Sequence, residues 1–230
     1  DGLCEWKLPF KEGVNVVIAE SKKNRLIFSD TIQTQFHLQS PSLTNQQIPF
    51  KEINIMLGST RYFTDEKGQW WQPDQTYKKG GWGSVGGKKF QLEDNGRLPY
   101  GTDKNIVGTV DDPVYQTQLT GIKQYRLEVP PGKYEISFHF AELTGGKINV
   151  PPYNLSDDVR NEQIKKRVFN VRVNGALTLD HFNIAEEYGL AKAVVKSTTV
   201  TVNNSDGILI DFTPIESEPV LNALQLKRLD

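Results

Sequence analysis

Apolar and polar side chains alternate along most of this chain, and a period of two residues predicts β-strands. Runs of this kind cover residues 134–140, 169–173 and 208–212. Each strand would bury one face, so we predict an all-β fold, an antiparallel β-sandwich of two sheets. The residues that should share its core are Phe138, Phe140, Phe169, Val171, Ile210 and Phe212.

Two local signals refine this pattern. Asn174 and Gly175 separate two alternating runs, and the pair suits both central positions of a type I′ turn. We therefore predict a hairpin over 168–179. Residues 184–189, which end at a glycine, have the pattern of a short helix.

Length and composition set the domain organisation. The chain has 230 residues, of which 37% are hydrophobic, as is typical of a globular protein. Residues 1–39 contain three strand-like runs, at 5–8, 14–20 and 26–38. That is too little for an independent core, so we expect the last strands of a larger sandwich. A polar linker over 40–49 leads to the main domain, 50–230.

Charge and termini exclude several functions. The 27 basic and 28 acidic residues nearly cancel, so no net field draws the chain to nucleic acid or to a membrane surface. No apolar run is long enough to insert into a membrane. The single cysteine forbids an internal disulfide. Because the chain starts at Asp1 without an initiator methionine, we expect it to be a piece of a longer polypeptide.

Motifs for cofactors and catalysis are weak. Residues 81–86 satisfy the pattern G-x-G-x-x-G, but no apolar strand precedes them, so we read a glycine loop that exposes Trp82. The three histidines lack the spacing of metal ligands. No metal or cofactor is expected, and acidic residues such as Glu142 are candidates for a carboxylate pair by residue type only.

Aromatic residues suggest a ligand. Several lie in Gly- and Pro-rich segments outside the clearest strands: Trp70, Trp71, Tyr77, Trp82, Tyr100 and Tyr153. Flat aromatic faces pack on the C–H faces of sugar rings, and neutral sugars require no net protein charge. A sugar-binding surface fits this composition. The alternative for Trp70 and Trp71 is that they fill the core.

The same segments resemble the malectin and malectin-like domains over about residues 50–229. The motifs are, in order, 53–58, 62–65 with Trp70 and Trp71, 80–83, 114–117, 132–134, 138–142, 167–175 and 219–224. Residues 73–75 and 108–117 look most like the C-terminal domain of bacterial glycoside hydrolase family 2 enzymes, typically β-galactosidases. Residues 1–39 resemble the end of the immunoglobulin-like domain that precedes it there.

The resemblance implies a malectin-like, galactose-binding-like jelly roll that acts as a non-catalytic carbohydrate-binding accessory domain of a secreted bacterial enzyme. The implied partners are a galactoside-containing saccharide and the enzyme's catalytic domain, and the implied location is periplasmic or extracellular. The predicted sugar-binding residues are Trp82, Tyr100, Tyr115, Tyr153 and Glu142. Elsewhere the family's aromatic sugar contacts fall on Thr120 and on residues 143–145, which are not aromatic. The alternative function is a structural spacer that binds no sugar.

Overall fold

The computed structural model describes residues 5–37, 42–45, 50–91, 101–144, 166–203 and 206–230. They belong to two compact units, Asp1–Pro41 and Ser42–Asp230. Strands dominate both. Among the described residues, no helix has the length and apolar character needed to cross a membrane.

Over residues 5–37, the first unit forms an antiparallel hairpin of β1 (Gly13–Lys23) and β2 (Leu26–Phe36). The third strand predicted over 5–8 is wrong, because these residues form no ladder and Trp6 is 68% exposed. Pro9, which follows them, has no N–H to donate to a neighbouring strand. Apolar residues also stay exposed on β1, among them Val14, Val16 and Ile18.

In the described residues of the second unit there are twelve strands and a short helix. They are β3 (Glu52–Met56), β4 (Phe63–Thr64), β5 (Trp70–Pro73), β6 (Trp82–Lys89), β7 (Leu119–Leu127), β8 (Gly132–Phe140), β9 (Val168–Val173), β10 (Ala176–Phe182), α1 (Ile184–Tyr188), β11 (Val194–Val202), β12 (Ile208–Glu216), β13 (Val220–Leu221) and β14 (Ala223–Arg228). One turn of 3₁₀-helix covers Asp112–Val114.

The strands of the second unit form two six-stranded sheets. The first has the order β10-β9-β12-β7-β13, and β6 also pairs with β7. The second has the order β11-β8-β14-β3-β5-β4. The predicted antiparallel β-sandwich is confirmed. One strand pair in the second sheet departs from antiparallel pairing, because β3 and β5 are parallel. The chain reverses twice after β3, through β4, and so β5 returns in the direction of β3.

The local predictions are confirmed. Asn174 and Gly175 have φ angles of 47° and 82° and join β9 to β10 as a two-residue turn. The helix α1 begins after Asn183, whose side chain accepts a hydrogen bond from the N–H of Glu186.

The main core lies between the two sheets. Phe140 of the second sheet packs on Phe169 and Phe182 of the first, with ring centroids 6.0 and 5.1 Å apart. All six residues predicted to share the core are buried in this cluster. A second apolar cluster forms around Met56, Trp71 and Tyr115, near the ends of β3 and β8. This second cluster supports the site described next.

Candidate functional site

Trp82 is not the exposed loop residue that the sequence predicted. It is the first residue of β6, it is 4% exposed, and it belongs to the main core. The glycine beside it serves a close backbone contact instead of a flexible loop. A Cβ on Gly83, whose φ is +144°, would lie 2.3 Å from the backbone oxygen of Gln75.

Tyr115 and Glu142 are also buried. The hydroxyl of Tyr115, a residue 5% exposed, lies 2.9 Å from Nδ1 of His139. Glu142 is fully buried, and its carboxylate accepts a hydrogen bond of 2.7 Å from Nε of Arg167. The same guanidinium also donates to Thr144 and to the backbone oxygen of Glu218.

Of the predicted site residues that the structure describes, Trp82 and Tyr115 do not lie on one surface. Trp82 pairs with Leu127 at one end of β7, whereas Tyr115 precedes Leu119 at the other end. Eight residues of extended chain separate these ends by roughly 26 Å. Tyr100 and Tyr153 lie outside the described residues, so their role in binding stays a prediction.

A different surface has the geometry of a binding site. A cleft of about 280 Å³ opens beside the second apolar cluster, and we call it the Tyr62 cleft. The turn after β3 lines it with Ser59, Arg61, Tyr62 and Phe63, next to Met56. The remaining lining comes from Thr102, Pro113, Gln116 and Thr117. This volume is near the lower limit of small-molecule sites, roughly 300 Å³.

Gly58 brings the two sides of the cleft together. Its φ is +75°, and a Cβ added to it would lie 2.4 Å from the backbone oxygen of Gln118. This contact holds the turn after β3 against the segment that ends at Gln118. Ser59 then fixes the turn, because its hydroxyl accepts a hydrogen bond from the N–H of Arg61 and donates one to the backbone oxygen of Arg61.

Asn222 holds the other side of the cleft. This fully buried side chain donates from Nδ2 to the backbone oxygens of Tyr115 and Thr117, at 2.7 and 3.0 Å. Its Oδ1 accepts from the N–H of Ala141 at 2.8 Å. The residues on either side of Gln116 are therefore fixed by Asn222, and this keeps the polar segment that lines the cleft in place.

Tyr62 is an exposed aromatic in this cleft. Its ring lies parallel to that of Trp70, with an interplanar angle of 7° and centroids 5.2 Å apart. Tyr62 is still 54% exposed. Trp71, the next residue along β5, points the other way and is 3% exposed, so it fills the core as the alternative interpretation held. The sequence did not single out Arg61 or Tyr62 as ligand contacts, although Tyr62 lies between strands in a glycine-containing turn.

A buried polar group lies behind the cleft. Nε1 of Trp71 donates to Asp65 at 2.9 Å, and the ring of Trp71 meets His139 edge-on. Burial lowers the pKa of His139 to about 4 and raises the pKa of Tyr115 to about 12. His139 and Tyr115 are therefore both neutral near pH 7, and neither adds a charge behind the cleft.

Residues 51–221 match the sequence model of the malectin domain. The chain belongs to the malectin family. The resemblance found in the sequence is thus confirmed. The Tyr62 cleft lies within the matched part of this malectin domain.

Solved structures with the fold of this malectin domain include an enzyme and plant receptors. Bacteroides uniformis beta-glucuronidase 2, covalently bound to cyclophellitol-6-carboxylate aziridine, matches with a TM-score of 0.75 and 23% identity, over 98% of the present chain and 23% of the enzyme. The ANXUR2 extracellular domain of Arabidopsis thaliana matches with a TM-score of 0.53 and 20% identity, over 77% of the present chain and 48% of that chain. At these identities the likeness shows the shared fold.

The plant receptor-like kinase FER matches in the same way, with a TM-score of 0.54 and 17% identity, over 78% of the present chain and 42% of that chain. The malectin domain chain spans less than a quarter of the length of the β-glucuronidase. No curated protein matches the chain.

Proposed function

We propose that this malectin domain binds carbohydrate in the Tyr62 cleft. The observation that carries the proposal is the ring of Tyr62, which Trp70 holds flat beside a cleft lined by hydroxyl and amide groups. An aromatic face can pack on the C–H face of a sugar ring. Nε2 of Gln116 donates to the backbone oxygen of Lys104, and this bond orients the side chain so that its Oε1 can accept a hydrogen bond from a sugar hydroxyl. The site is small, so it suits one end of a saccharide.

We further propose that the domain is a non-catalytic accessory part of a secreted family 2 glycoside hydrolase. Support comes from the β-glucuronidase whose fold covers 98% of the chain. The sequence favoured a β-galactosidase and a galactoside ligand, whereas this structural neighbour is named a β-glucuronidase. A periplasmic or extracellular location belongs to the same proposal, since polysaccharides are met there.

The second candidate function is a structural spacer. The observation that favours it is the apolar surface of the β1–β2 hairpin, where Val14, Val16 and Ile18 are each 59% exposed. Exposed apolar surface of this kind is typical of contacts between protein domains. A spacer would bind the catalytic domain of its enzyme and no sugar.

Binding measurements on two alanine variants separate these functions. Nuclear magnetic resonance titrations with galactose- and glucose-based oligosaccharides should give dissociation constants of about 10 µM to 1 mM, since ordering costs consume much of the contact energy of a small ligand. Tyr62→Ala should weaken binding at least tenfold. Trp6→Ala removes another exposed aromatic, one in the first unit, and should leave binding unchanged.

The melting temperature is the control for folding in both variants. If neutral and acidic oligosaccharides all fail to bind the unmodified chain, the carbohydrate-binding proposal is wrong and the spacer is favoured. If Tyr62→Ala binds as well as the unmodified chain, the domain binds sugar at another surface.

A further inference from the structure

The side chains that line the Tyr62 cleft include a positive charge and no negative charge. Among its lining residues Arg61 is the one with a charged side chain, and the others are apolar or neutral. The lining thus has a formal charge of +1, although the whole chain has a net charge of -1. A small concave site with an uncompensated cation favours a ligand with a negative charge.

Hydrogen bonds fix the backbone of Arg61, whereas its guanidinium is available to a ligand. Both of its backbone polar groups are bonded to the hydroxyl of Ser59. Within the described part of the chain, no carboxylate lies within 4.0 Å of the Arg61 guanidinium, whereas Arg167 and Arg228 each have an acidic partner. A ligand carboxylate at Arg61 would therefore not compete with an internal ion pair.

We infer that the Tyr62 cleft selects saccharides with a carboxylate on the sugar ring, that is, uronic acids, and that Arg61 contacts this carboxylate. The inference rests on the proposed function and specifies its ligand class. A guanidinium donates two parallel N–H groups to a planar carboxylate, which an ammonium cannot do. Tyr62 would pack on the ring of the same sugar, and Oε1 of Gln116 would accept a hydrogen bond from one of its hydroxyls.

Arg61 is exposed, so water and salt screen its charge. We expect a moderate preference, of about fivefold in dissociation constant, for a uronic acid over the neutral sugar that differs from it at one carbon. Because an exposed ion pair is involved, the preference should shrink as the salt concentration rises. Neutral sugars would still bind, more weakly.

Methyl β-D-glucuronide and methyl β-D-glucoside form the matched probe pair, titrated into the full chain. The glucuronide should bind about fivefold more tightly. Arg61→Gln should bring the ratio of the two constants near one, and Arg61→Lys should give an intermediate ratio. Arg172→Gln makes the same charge change in β9, outside the cleft, and should keep the ratio of the unmodified chain.

Each contrary result has a distinct meaning. Equal binding of both probes by the unmodified chain would overturn the inference and leave the proposed function standing. A ratio that survives Arg61→Gln would overturn the assignment to Arg61. Tighter binding of methyl β-D-glucoside 6-sulfate than of the glucuronide would overturn the choice of a carboxylate. Failure of all three probes and of the other oligosaccharides would contradict the proposed function itself.

Discussion

Gly58 lies directly against the backbone oxygen of Gln118, at a distance that leaves no room for a side chain. The contact joins the turn after β3 to the segment before β7. These two segments form the two sides of the Tyr62 cleft. These residues are 60 positions apart in the sequence, so no local pattern shows their contact. The cleft is a consequence of tertiary packing.

Gly58→Ala should therefore damage the cleft more than its conformational cost alone explains. Gly68→Ala is the matched control, because its φ of +77° is close to the +75° of Gly58 and nothing lies within 4 Å of its added Cβ. We expect Gly68→Ala to lower the free energy of unfolding by about 1 kcal/mol, from backbone strain. Gly58→Ala should cost clearly more and should also weaken sugar binding. Equal costs from chemical denaturation would show that the Gln118 contact is unimportant.

Trp82→Ala tests the corrected position of Trp82. A buried tryptophan in the main core should cost about 3–5 kcal/mol on truncation to alanine. Its Nε1 has no hydrogen-bond partner among the described residues, so Trp82→Phe should cost much less. Chemical denaturation measures both. A Trp82→Ala variant with an unchanged midpoint would restore the exposed loop that the sequence predicted.

The contrast between Trp82 and Phe138 shows what the sequence can predict. Phe138 lies in a strand whose alternation is a local property, and one buried face requires that alternation. Trp82 lies between glycines, which locally suggest a flexible loop. In the fold, Gly83 instead permits a close approach of the chain at Gln75. The core could thus be predicted from the two-residue period of the strands alone. The role of Gly83 and the position of Arg61 in the cleft instead depend on contacts between segments that are distant in the sequence.

The buried ion pair of Glu142 and Arg167 should be worth much more to stability than a surface pair. Arg167→Met leaves the fully buried Glu142 carboxylate without its cation, so we expect a loss of about 3–5 kcal/mol. Glu142→Gln in the same chain should recover part of that loss. Denaturation of both single variants and the double variant measures the coupling. Additive effects would show that the two side chains act independently.

Residues 42–230 should fold without the hairpin unit. Their main core is built from their own residues, beginning at Leu43, which is 6% exposed. Removing residues 1–41 should therefore leave a cooperative thermal transition within a few degrees of the full chain. Removing 1–45 also removes Leu43, and we expect a further loss of about 2–5 kcal/mol, as for a buried leucine truncation. Loss of folding in the 42–230 chain would show that the two units form one cooperative domain.

His139 and Asp74 should give opposite pH dependences of stability. Burial lowers the pKa of His139 from 6.5 to about 4, so the unfolded chain binds more protons there and stability rises as pH increases from 4 to 6.5. Burial raises the pKa of Asp74 from 3.8 to about 6, even though Ser84 and Tyr125 donate hydrogen bonds to its carboxylate. The folded chain then binds more protons at Asp74, and stability falls as pH rises through nearly the same range.

Each shift corresponds to roughly 3 kcal/mol, so the two contributions nearly cancel in the unmodified chain. His139→Gln removes the His139 contribution to the pH dependence and leaves that of Asp74. Relative to the unmodified chain, the free energy of unfolding of this variant should then fall from pH 4 to 6. Asp74→Asn should produce the opposite change, a steeper rise over the same range. Urea denaturation at half-unit pH intervals measures both slopes, which are insensitive to any pH-independent packing cost of the substitution. If the two variants change slope in the same direction, at least one of these burial effects has been assigned wrongly.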